Sequence, residues 1–180
     1  MVKRVTFFGS SEVRPGSLDY DGAFQTTKLL AQNGYEIVNG GGPGVMKAST
    51  EGAKAGGGRT IGLTFKPKDM THFEGRDETN LVDELHNFDT YVERTIKLLE
   101  MGDIYVIFNG GTGTISEFGM AWGLARLYFG HHKPLVLYGN FWHDITEAFG
   151  RTMLIRPEEI RVYRIVSTPT EVLETVKAQG

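Results

Sequence analysis

Two glycine-rich segments contain the residue types best suited to binding an anion. Residues 39–46 read Asn-Gly-Gly-Gly-Pro-Gly-Val-Met, and residues 109–117 read Asn-Gly-Gly-Thr-Gly-Thr-Ile-Ser-Glu. Glycine lets the backbone turn tightly and approach a ligand closely, and the free N–H groups at the start of a helix attract a phosphate. Together the two segments predict a site for a small molecule that carries a phosphate.

The elements that must position these segments follow from the hydrophobic pattern. Short apolar runs alternate with longer amphipathic stretches, which is typical of βα units and a parallel sheet. The predicted strands are residues 2–8, 35–38, 60–64, 103–108, 134–138 and 164–167. The predicted helices are residues 18–33, 45–55, 91–101, 114–129, 142–149 and 170–178. We therefore predict an α/β fold in which residues 1–180 form one domain, with a doubly wound, Rossmann-like parallel sheet flanked by helices.

Each glycine-rich segment follows a predicted strand and leads into a predicted helix. Open α/β sheets bind ligands outside the carboxyl ends of their strands, so both segments should lie at the same edge of the sheet. We expect them to share one pocket. Either segment alone would also fit tight backbone packing without a ligand, and that alternative stays open.

Common nucleotide-binding motifs fail to match either segment. No Gly-Lys-Ser or Gly-Lys-Thr occurs at the spacing of a P-loop, and Lys47 and Ser116 replace the third glycine of the dinucleotide fingerprint. The strand that ends at Thr64 also lacks the acidic residue that would bind an NAD ribose. The sequence therefore argues against a dinucleotide, and we expect the site to need no cofactor.

Two charged residues are candidates for chemistry. Glu117 follows Thr114 at the spacing of a capping box, so its carboxylate has either a helix-capping role or a catalytic role beside a bound sugar phosphate. Arg94 is by default an exposed surface arginine, and sequence spacing alone does not bring it to the site.

Other candidate residues have equally ordinary explanations. Ser10 and Ser11 follow the first strand and fit either turn capping or phosphate contact. Met46, Trp122 and Trp142 fit core or interface packing better than base stacking. The five histidines, at positions 72, 86, 131, 132 and 143, show no metal-binding spacing, so we predict no metal site.

Composition limits the compartment and the partners. The 180 residues include no cysteine, which excludes disulfides, thiolate zinc sites and thiol nucleophiles. The 19 Lys and Arg against 22 Asp and Glu give a net charge of −3, so the chain as a whole is not attracted to nucleic acid or anionic membranes. Its apolar runs fall short of the ~20 residues that span a bilayer. We expect a cytoplasmic protein that has no nucleic-acid or membrane partner.

Residues 65–88 fit the alternating pattern of elements poorly. The segment is long, polar and aperiodic at first, and only residues 81–88 alternate in a way that predicts a short additional strand. Long loops inside compact domains are often functional, so we predict a lid or one wall of the pocket, with a plain surface excursion as the alternative.

The ordered set of motifs resembles one family. It consists of Phe-Gly-Ser-Ser at residues 8–11, the first glycine-rich segment, Asn-Leu-Val-Asp-Glu-Leu at residues 80–85, Arg94 and the second glycine-rich segment. These features resemble the lonely-guy proteins, which are phosphoribohydrolases of cytokinin riboside monophosphates, and the related bacterial nucleotide 5′-monophosphate nucleosidases. The resemblance implies cleavage of nucleoside 5′-monophosphates to a free base and ribose 5-phosphate. A related branch of molybdenum-cofactor carriers supplies a non-catalytic alternative.

The resemblance also implies roles for individual residues. Arg94 and Glu117 would form the catalytic pair, and residues 110–114 would grip the 5′-phosphate. The candidate ligand-binding residues are Ser10, Gly41, Gly42, Gly44, Met46, Gly110, Gly111, Thr112, Gly113 and Thr114. The resemblance implies a homodimer too, and the predicted helix at residues 114–129 has more large apolar side chains than one face of a small core needs.

Three positions depart from the family pattern. Asn109 replaces a proline, Thr95 follows Arg94 where many members have lysine, and Lys47 stands where bacterial members usually have glutamate. The last two changes alter the charge expected near the ligand. They leave the preferred base undetermined.

Overall fold

The computed structural model describes residues 2–66 and 76–179. In chain order, its strands are β1 (Arg4–Phe8), β2 (Glu36–Asn39), β3 (Thr60–Phe65), β4 (Glu84–Phe88), β5 (Ile104–Ile107), β6 (Leu135–Tyr138) and β7 (Tyr163–Val166). Its helices are α1 (Leu18–Gln32), α2 (Val45–Ala55), α3 (Tyr91–Met101), α4 (Thr112–Leu127), α5 (Phe141–Thr152) and α6 (Pro169–Lys177), with a short 3-10 helix at Glu159–Arg161.

All seven described strands join one parallel sheet in the order β4-β3-β2-β1-β5-β6-β7. The chain builds outward from β1 to β4 and then crosses back to place β5 on the other side of β1. The strand order therefore reverses between β1 and β5, and the loops after these two strands diverge there. The doubly wound parallel sheet predicted from the sequence is confirmed.

The helices cover both faces of the sheet because alternate strand residues point to opposite sides. Val5 and Phe7 of β1 join a core with α1, α2 and α6, whereas Phe8 joins a second core with α3, α4 and α5. All four residues of β5 are buried, as expected for a central parallel strand with helices on both faces. The continuous apolar runs that predicted the strands arise from this double burial.

The additional strand predicted within residues 81–88 is present as β4. It pairs with β3 and forms one edge of the sheet, and its residues alternate between partly buried and exposed. Phe65, at the end of β3, lines the cavity described below. Residues 67–75, which include His72 and much of the predicted lid, lie outside the described residues.

The largest boundary difference that affects the site concerns α4. The helix begins at Thr112, two residues before the predicted start at Thr114, and Gly111 is its N-cap. Glu117 therefore lies in the second turn of α4.

Within residues 2–66 and 76–179, none of the helices combines the length and apolar character needed to cross a bilayer.

Candidate active site

A cavity of about 450 Å³ opens at the carboxyl ends of β1 and β5, where the strand order reverses. Residues from both glycine-rich segments line it, together with side chains from β3, α3, α4 and the loop after β1. The lining residues named in the sequence predictions are Ser10, Met46, Arg94, Gly111, Thr112, Gly113, Thr114 and Glu117. The fold thus brings these eight residues together.

The N-terminus of α4 faces this cavity. Its N-cap, Gly111, has no side chain, so no side-chain cap hydrogen bond satisfies the first N–H groups of the helix. Thr112, Gly113 and Thr114 form the first turn and line the cavity. Because free N–H groups and the helix dipole both favour negative charge, this turn is suited to a phosphate.

Gly110 is required for the shape of this turn. A Cβ at this position would lie 2.2 Å from the Thr114 hydroxyl oxygen and 2.9 Å from the Ser10 backbone nitrogen. Gly110 does not itself line the cavity. It allows the loop after β5 to pass close to the loop after β1.

Arg94 and Glu117 form a buried ion pair. Nη1 of Arg94 donates a hydrogen bond to Oε1 of Glu117 at 2.5 Å, and each residue is only 7% exposed. The interpretation of Arg94 as an exposed surface arginine is therefore wrong, because its side chain pairs with Glu117 and lies against the Tyr91 and Phe65 rings. The capping-box interpretation of Glu117 is also wrong, because Gly111 is the N-cap and Glu117 bonds to Arg94 instead.

Burial and the ion pair act in opposite directions on the pKa of Glu117. Burial raises the pKa of the Glu117 carboxyl above its ordinary value, and the Arg94 guanidinium offsets part of that rise. Nε of Arg94 is buried and has no hydrogen-bond partner in the described part of the chain. A ligand in the cavity can supply an acceptor for this donor.

Two aromatic residues complete the surroundings of Arg94. Its Cζ lies 5.2 Å from the centre of the Tyr91 ring and 5.8 Å from that of Phe65, and both rings line the cavity. Neither residue was a predicted site residue. Tyr91 lies three residues before Arg94, and that helical spacing was the available signal because it places the two on one face.

Ser10 connects three loops around the cavity. Its N–H donates to the Asn109 carbonyl at 2.9 Å, and its carbonyl accepts from the N–H of Val45 at 2.9 Å. Its hydroxyl accepts from the N–H of Glu12 at 3.0 Å, which is a turn-capping contact. Ser10 also lines the cavity, so both of its predicted roles remain compatible with its position.

The first glycine-rich segment contributes less directly than the second. Gly40 and Met46 line the cavity, but Gly41, Gly42 and Gly44 are not among its lining residues. Their backbone positions explain the glycines. Gly41 and Gly44 have positive φ angles of 71° and 65°, and a Cβ on Gly44 would lie 2.2 Å from the Ser10 carbonyl oxygen.

A polar segment after the undescribed residues holds this loop in place. The amide of Asn80 donates to the Gly42 carbonyl at 2.8 Å, and the N–H of Asp77 donates to the Gly41 carbonyl at 3.2 Å. Lys47 donates to the Thr79 hydroxyl at 2.7 Å.

The departures from the family pattern can now be placed. Lys47 does not line the cavity but lines a neighbouring depression, where its ammonium pairs with Asp77 at 3.8 Å. Thr95 is fully buried on α3, and its hydroxyl has no hydrogen-bond partner within the described residues. Asn109 is held through its carbonyl by Ser10.

Neither tryptophan, nor any of the four histidines within the described residues (His86, His131, His132 and His143), lines the cavity. Trp142 donates to the Ile107 carbonyl at 3.2 Å within one core, and Trp122 donates to the Glu159 carbonyl at 2.7 Å. Core packing therefore accounts for both indoles. In the described part of the chain, no three His, Cys, Asp or Glu side chains are grouped to hold a metal ion.

Comparison with known proteins identifies relatives over most of the chain. Residues 46–176 match the family model described as "Possible lysine decarboxylase". A cytokinin riboside 5′-monophosphate phosphoribohydrolase of Mycobacterium tuberculosis is 34% identical over 123 residues, which cover 67% of this chain and 63% of the relative. A probable cytokinin riboside 5′-monophosphate phosphoribohydrolase of Oryza sativa subsp. japonica is 26% identical over 181 residues, covering 96% of this chain and 69% of the relative.

The fold also has close counterparts among solved structures. The molybdenum cofactor binding protein from the phototrophic bacterium Rippkaea orientalis superposes with a TM-score of 0.73 at 24% identity, covering 99% of this chain and 97% of that one. At this identity the likeness concerns the fold alone. Because the family model covers most of the chain, the protein belongs to that family, and the predicted relationship to the lonely-guy group is confirmed.

Proposed function

We propose that this protein hydrolyses the N-glycosidic bond of nucleoside 5′-monophosphates to a free base and ribose 5-phosphate. The observation that carries the proposal is the position of the buried Arg94–Glu117 pair in the same cavity as the uncapped N-terminus of α4. One part of the cavity suits a phosphate and the other suits a developing positive charge. The names of the mycobacterial and rice relatives support the same reaction.

The phosphate would bind at the first turn of α4. We assign ligand contacts to Ser10, Met46, Gly111, Thr112, Gly113 and Thr114, all of which line the cavity. We assign loop-shaping roles to Gly41, Gly42, Gly44 and Gly110, which lie outside the lining. Anchoring the phosphate fixes the sugar relative to Glu117, and such orientation lowers the barrier to reaction.

Glu117 would act on the sugar and on the attacking water. As the bond from C1′ to the base breaks, the sugar gains oxocarbenium character, which a nearby carboxylate stabilises. Water then adds to C1′, and one of its protons passes to the carboxylate, whose raised pKa makes it a better acceptor than an ordinary glutamate. The departing base takes a proton from solvent water and Glu117 returns its proton to solvent, so the products are the protonated free base and ribose 5-phosphate. Arg94 holds the carboxylate in place and keeps a donor, Nε, for the ligand.

We also propose that the protein is a homodimer. Leu127 and Tyr128 at the end of α4 are 68% and 63% exposed, and Leu124 and Ile96 are partly exposed beside them. These residues line an apolar groove between α3 and α4. A second copy covering this groove would remove its apolar surface from water.

Release of ribose 5-phosphate from AMP, GMP, CMP and UMP tests the function. We expect at least one of them to yield base and ribose 5-phosphate in equal amounts, and the Glu117→Gln variant to yield neither. Tight nucleotide binding with no release from any of the four would favour the non-catalytic carrier instead.

A further inference from the structure

Tyr91, the first residue of α3, contacts both halves of the candidate catalytic machinery. Its ring lies 5.2 Å from Cζ of Arg94. Its hydroxyl shares a short hydrogen bond with the Ser116 hydroxyl and lies 3.3 Å from the Gly113 carbonyl oxygen. One side chain therefore contacts the arginine of the ion pair and the first turns of α4.

We propose that Tyr91 is a positioning residue for the glycosidic reaction. Its ring fixes the Arg94 guanidinium, and through it the Glu117 carboxylate, while its hydroxyl fixes the turn of α4 that faces the phosphate. This inference rests on the proposed function, because positioning has a catalytic effect only if the cavity cleaves nucleotides.

The ring contact restrains an arginine that has few other partners. Within the described residues, Nη1 of Arg94 bonds to Glu117 and Nε has no partner. The Tyr91 and Phe65 rings, whose centres are 5.8 Å apart in an edge-to-face arrangement, both contact the guanidinium. Aromatic faces attract a guanidinium and limit its motion. Without the Tyr91 ring, Arg94 would have more freedom to leave Glu117.

The hydroxyl contact acts on the other helix. Ser116 donates to the Gly113 carbonyl at 2.9 Å, and the Tyr91 hydroxyl approaches both groups. Gly113 lies in the first turn of α4, which lines the cavity. The hydroxyl therefore connects the N-terminus of α3 to the N-terminus of α4 and holds the proposed phosphate site in register with Arg94.

Two substitutions separate these effects. Tyr91→Phe keeps the ring and removes the hydroxyl, whereas Tyr91→Leu removes both. Tyr35→Phe is the matched control, because it removes a phenol hydroxyl from a partly buried tyrosine that precedes β2, at the opposite end of the sheet. The readouts are kcat and KM for AMP, and the pKa of the Glu117 carboxyl followed by ¹³C NMR, with the signal assigned by its loss in Glu117→Gln. The NMR titration requires no turnover.

Each variant has a distinct expected result. Tyr91→Leu should lower kcat about tenfold, since the buried arginine loses an aromatic contact. It should also raise the Glu117 pKa, because a looser Arg94 offsets less of the burial effect. Tyr91→Phe should keep most of kcat and raise KM about two- to tenfold, as expected for one lost hydrogen bond. Tyr35→Phe should change neither.

The titration has few other contributors. Of the described residues that line the cavity, the ionisable ones besides Glu117 are Arg94 and Tyr91 on α3 and Glu12 in the loop after β1. Among these described residues, only Arg94 is hydrogen-bonded to Glu117. A rise in the Glu117 pKa after a Tyr91 substitution therefore reports a weaker contribution from Arg94, because added water around Glu117 would lower that pKa instead.

The outcomes distinguish this proposal from the function on which it rests. Wild-type protein that cleaves none of the nucleotides overturns the function, yet the Glu117 pKa still tests the positioning. An unchanged Glu117 pKa in Tyr91→Leu overturns the positioning even if AMP is cleaved. Should Tyr91→Leu fail to fold, Phe65→Leu removes the other ring and should raise the same pKa, and an unchanged value there contradicts the proposal equally.

Discussion

Neutralising one member of the Arg94–Glu117 pair should damage both stability and activity, whereas neutralising both members should restore stability alone. In Glu117→Gln the guanidinium of Arg94, a residue that is only 7% exposed, stays buried without its counter-ion. Removing one partner of a buried pair costs about 3–5 kcal/mol. Because the cavity admits solvent, we expect the lower end of that range, about 3 kcal/mol. For a chain of this size, that loss lowers Tm by roughly 6–12 °C.

The double variant Arg94→Met/Glu117→Gln leaves no uncompensated charge. Its free energy of unfolding should return to within about 1 kcal/mol of wild type, since a buried ion pair and a neutral replacement of similar volume often have similar stability. Its nucleotide cleavage should remain as low as that of Glu117→Gln, because the carboxylate is absent from both. Urea unfolding and AMP hydrolysis, measured on the same samples, check the two expectations together.

The single variant Arg94→Met tests the direction in which stability changes with pH. Without the guanidinium, burial raises the folded-state pKa of Glu117 further above its unfolded value. The folded state then binds the proton more tightly, so its stability is greatest below the unfolded pKa and is lost as the pH rises through the folded pKa. Arg94→Met should therefore be closer to wild type in stability at pH 5 than at pH 8.

A double variant as unstable as the two single variants added together would refute the compensation of charges. Full activity in Glu117→Gln would remove Glu117 from the mechanism.

Three further expectations concern the acid limb, the glycine loop and the assembly. The rate of AMP cleavage should rise with pH through an apparent pKa above 4.5, because the raised pKa of Glu117 moves its ionisation to higher pH. A pH–rate profile whose acid side rises with an apparent pKa at or below 4.5 would contradict this. Gly110→Ala should raise KM for AMP at least about tenfold, because the new Cβ would lie 2.2 Å from the Thr114 hydroxyl oxygen. Gly150→Ala is the control, because a Cβ there would have no atom within 4 Å. It should leave KM unchanged and stabilise α5 by up to about 1 kcal/mol. Light scattering should give twice the chain mass of 20.0 kDa, and Leu127→Glu should reduce the measured mass to that of a single chain. A wild-type monomer at micromolar concentration would contradict the dimer.

The parts of this fold that depend on local pattern were predictable from the sequence. Buried parallel strands give continuous apolar runs, so each predicted strand appears near its expected position, and the weaker alternation before residue 88 is the edge strand β4. The shared edge of the sheet then placed Met46 and Gly113 around one cavity.

The parts that depend on packing between distant elements were not predictable in the same way. Arg94 is buried against Glu117 of α4, and no local spacing in residues 91–101 encodes that contact. The predicted start of α4 was wrong because Thr114 and Glu117 match a capping box. The helix instead begins directly after Gly111, an N-cap residue with no side chain to form a capping hydrogen bond. Tyr91 was not predicted because the groups that its hydroxyl contacts, on Gly113 and Ser116, lie on another helix.

The ratio of kcat/KM for AMP to that for adenosine tests the central claim most directly. Adenosine presents the same base and sugar but leaves the donors at the first turn of α4 without an anion. Two unpaired donors at about 1.4 kcal/mol each correspond to a loss of about 100-fold in kcat/KM. We therefore predict that kcat/KM for AMP is at least about 100 times that for adenosine. Equal values of kcat/KM for the two substrates would mean that the glycine-rich turn is not a phosphate anchor, and would contradict the proposed function of this cavity.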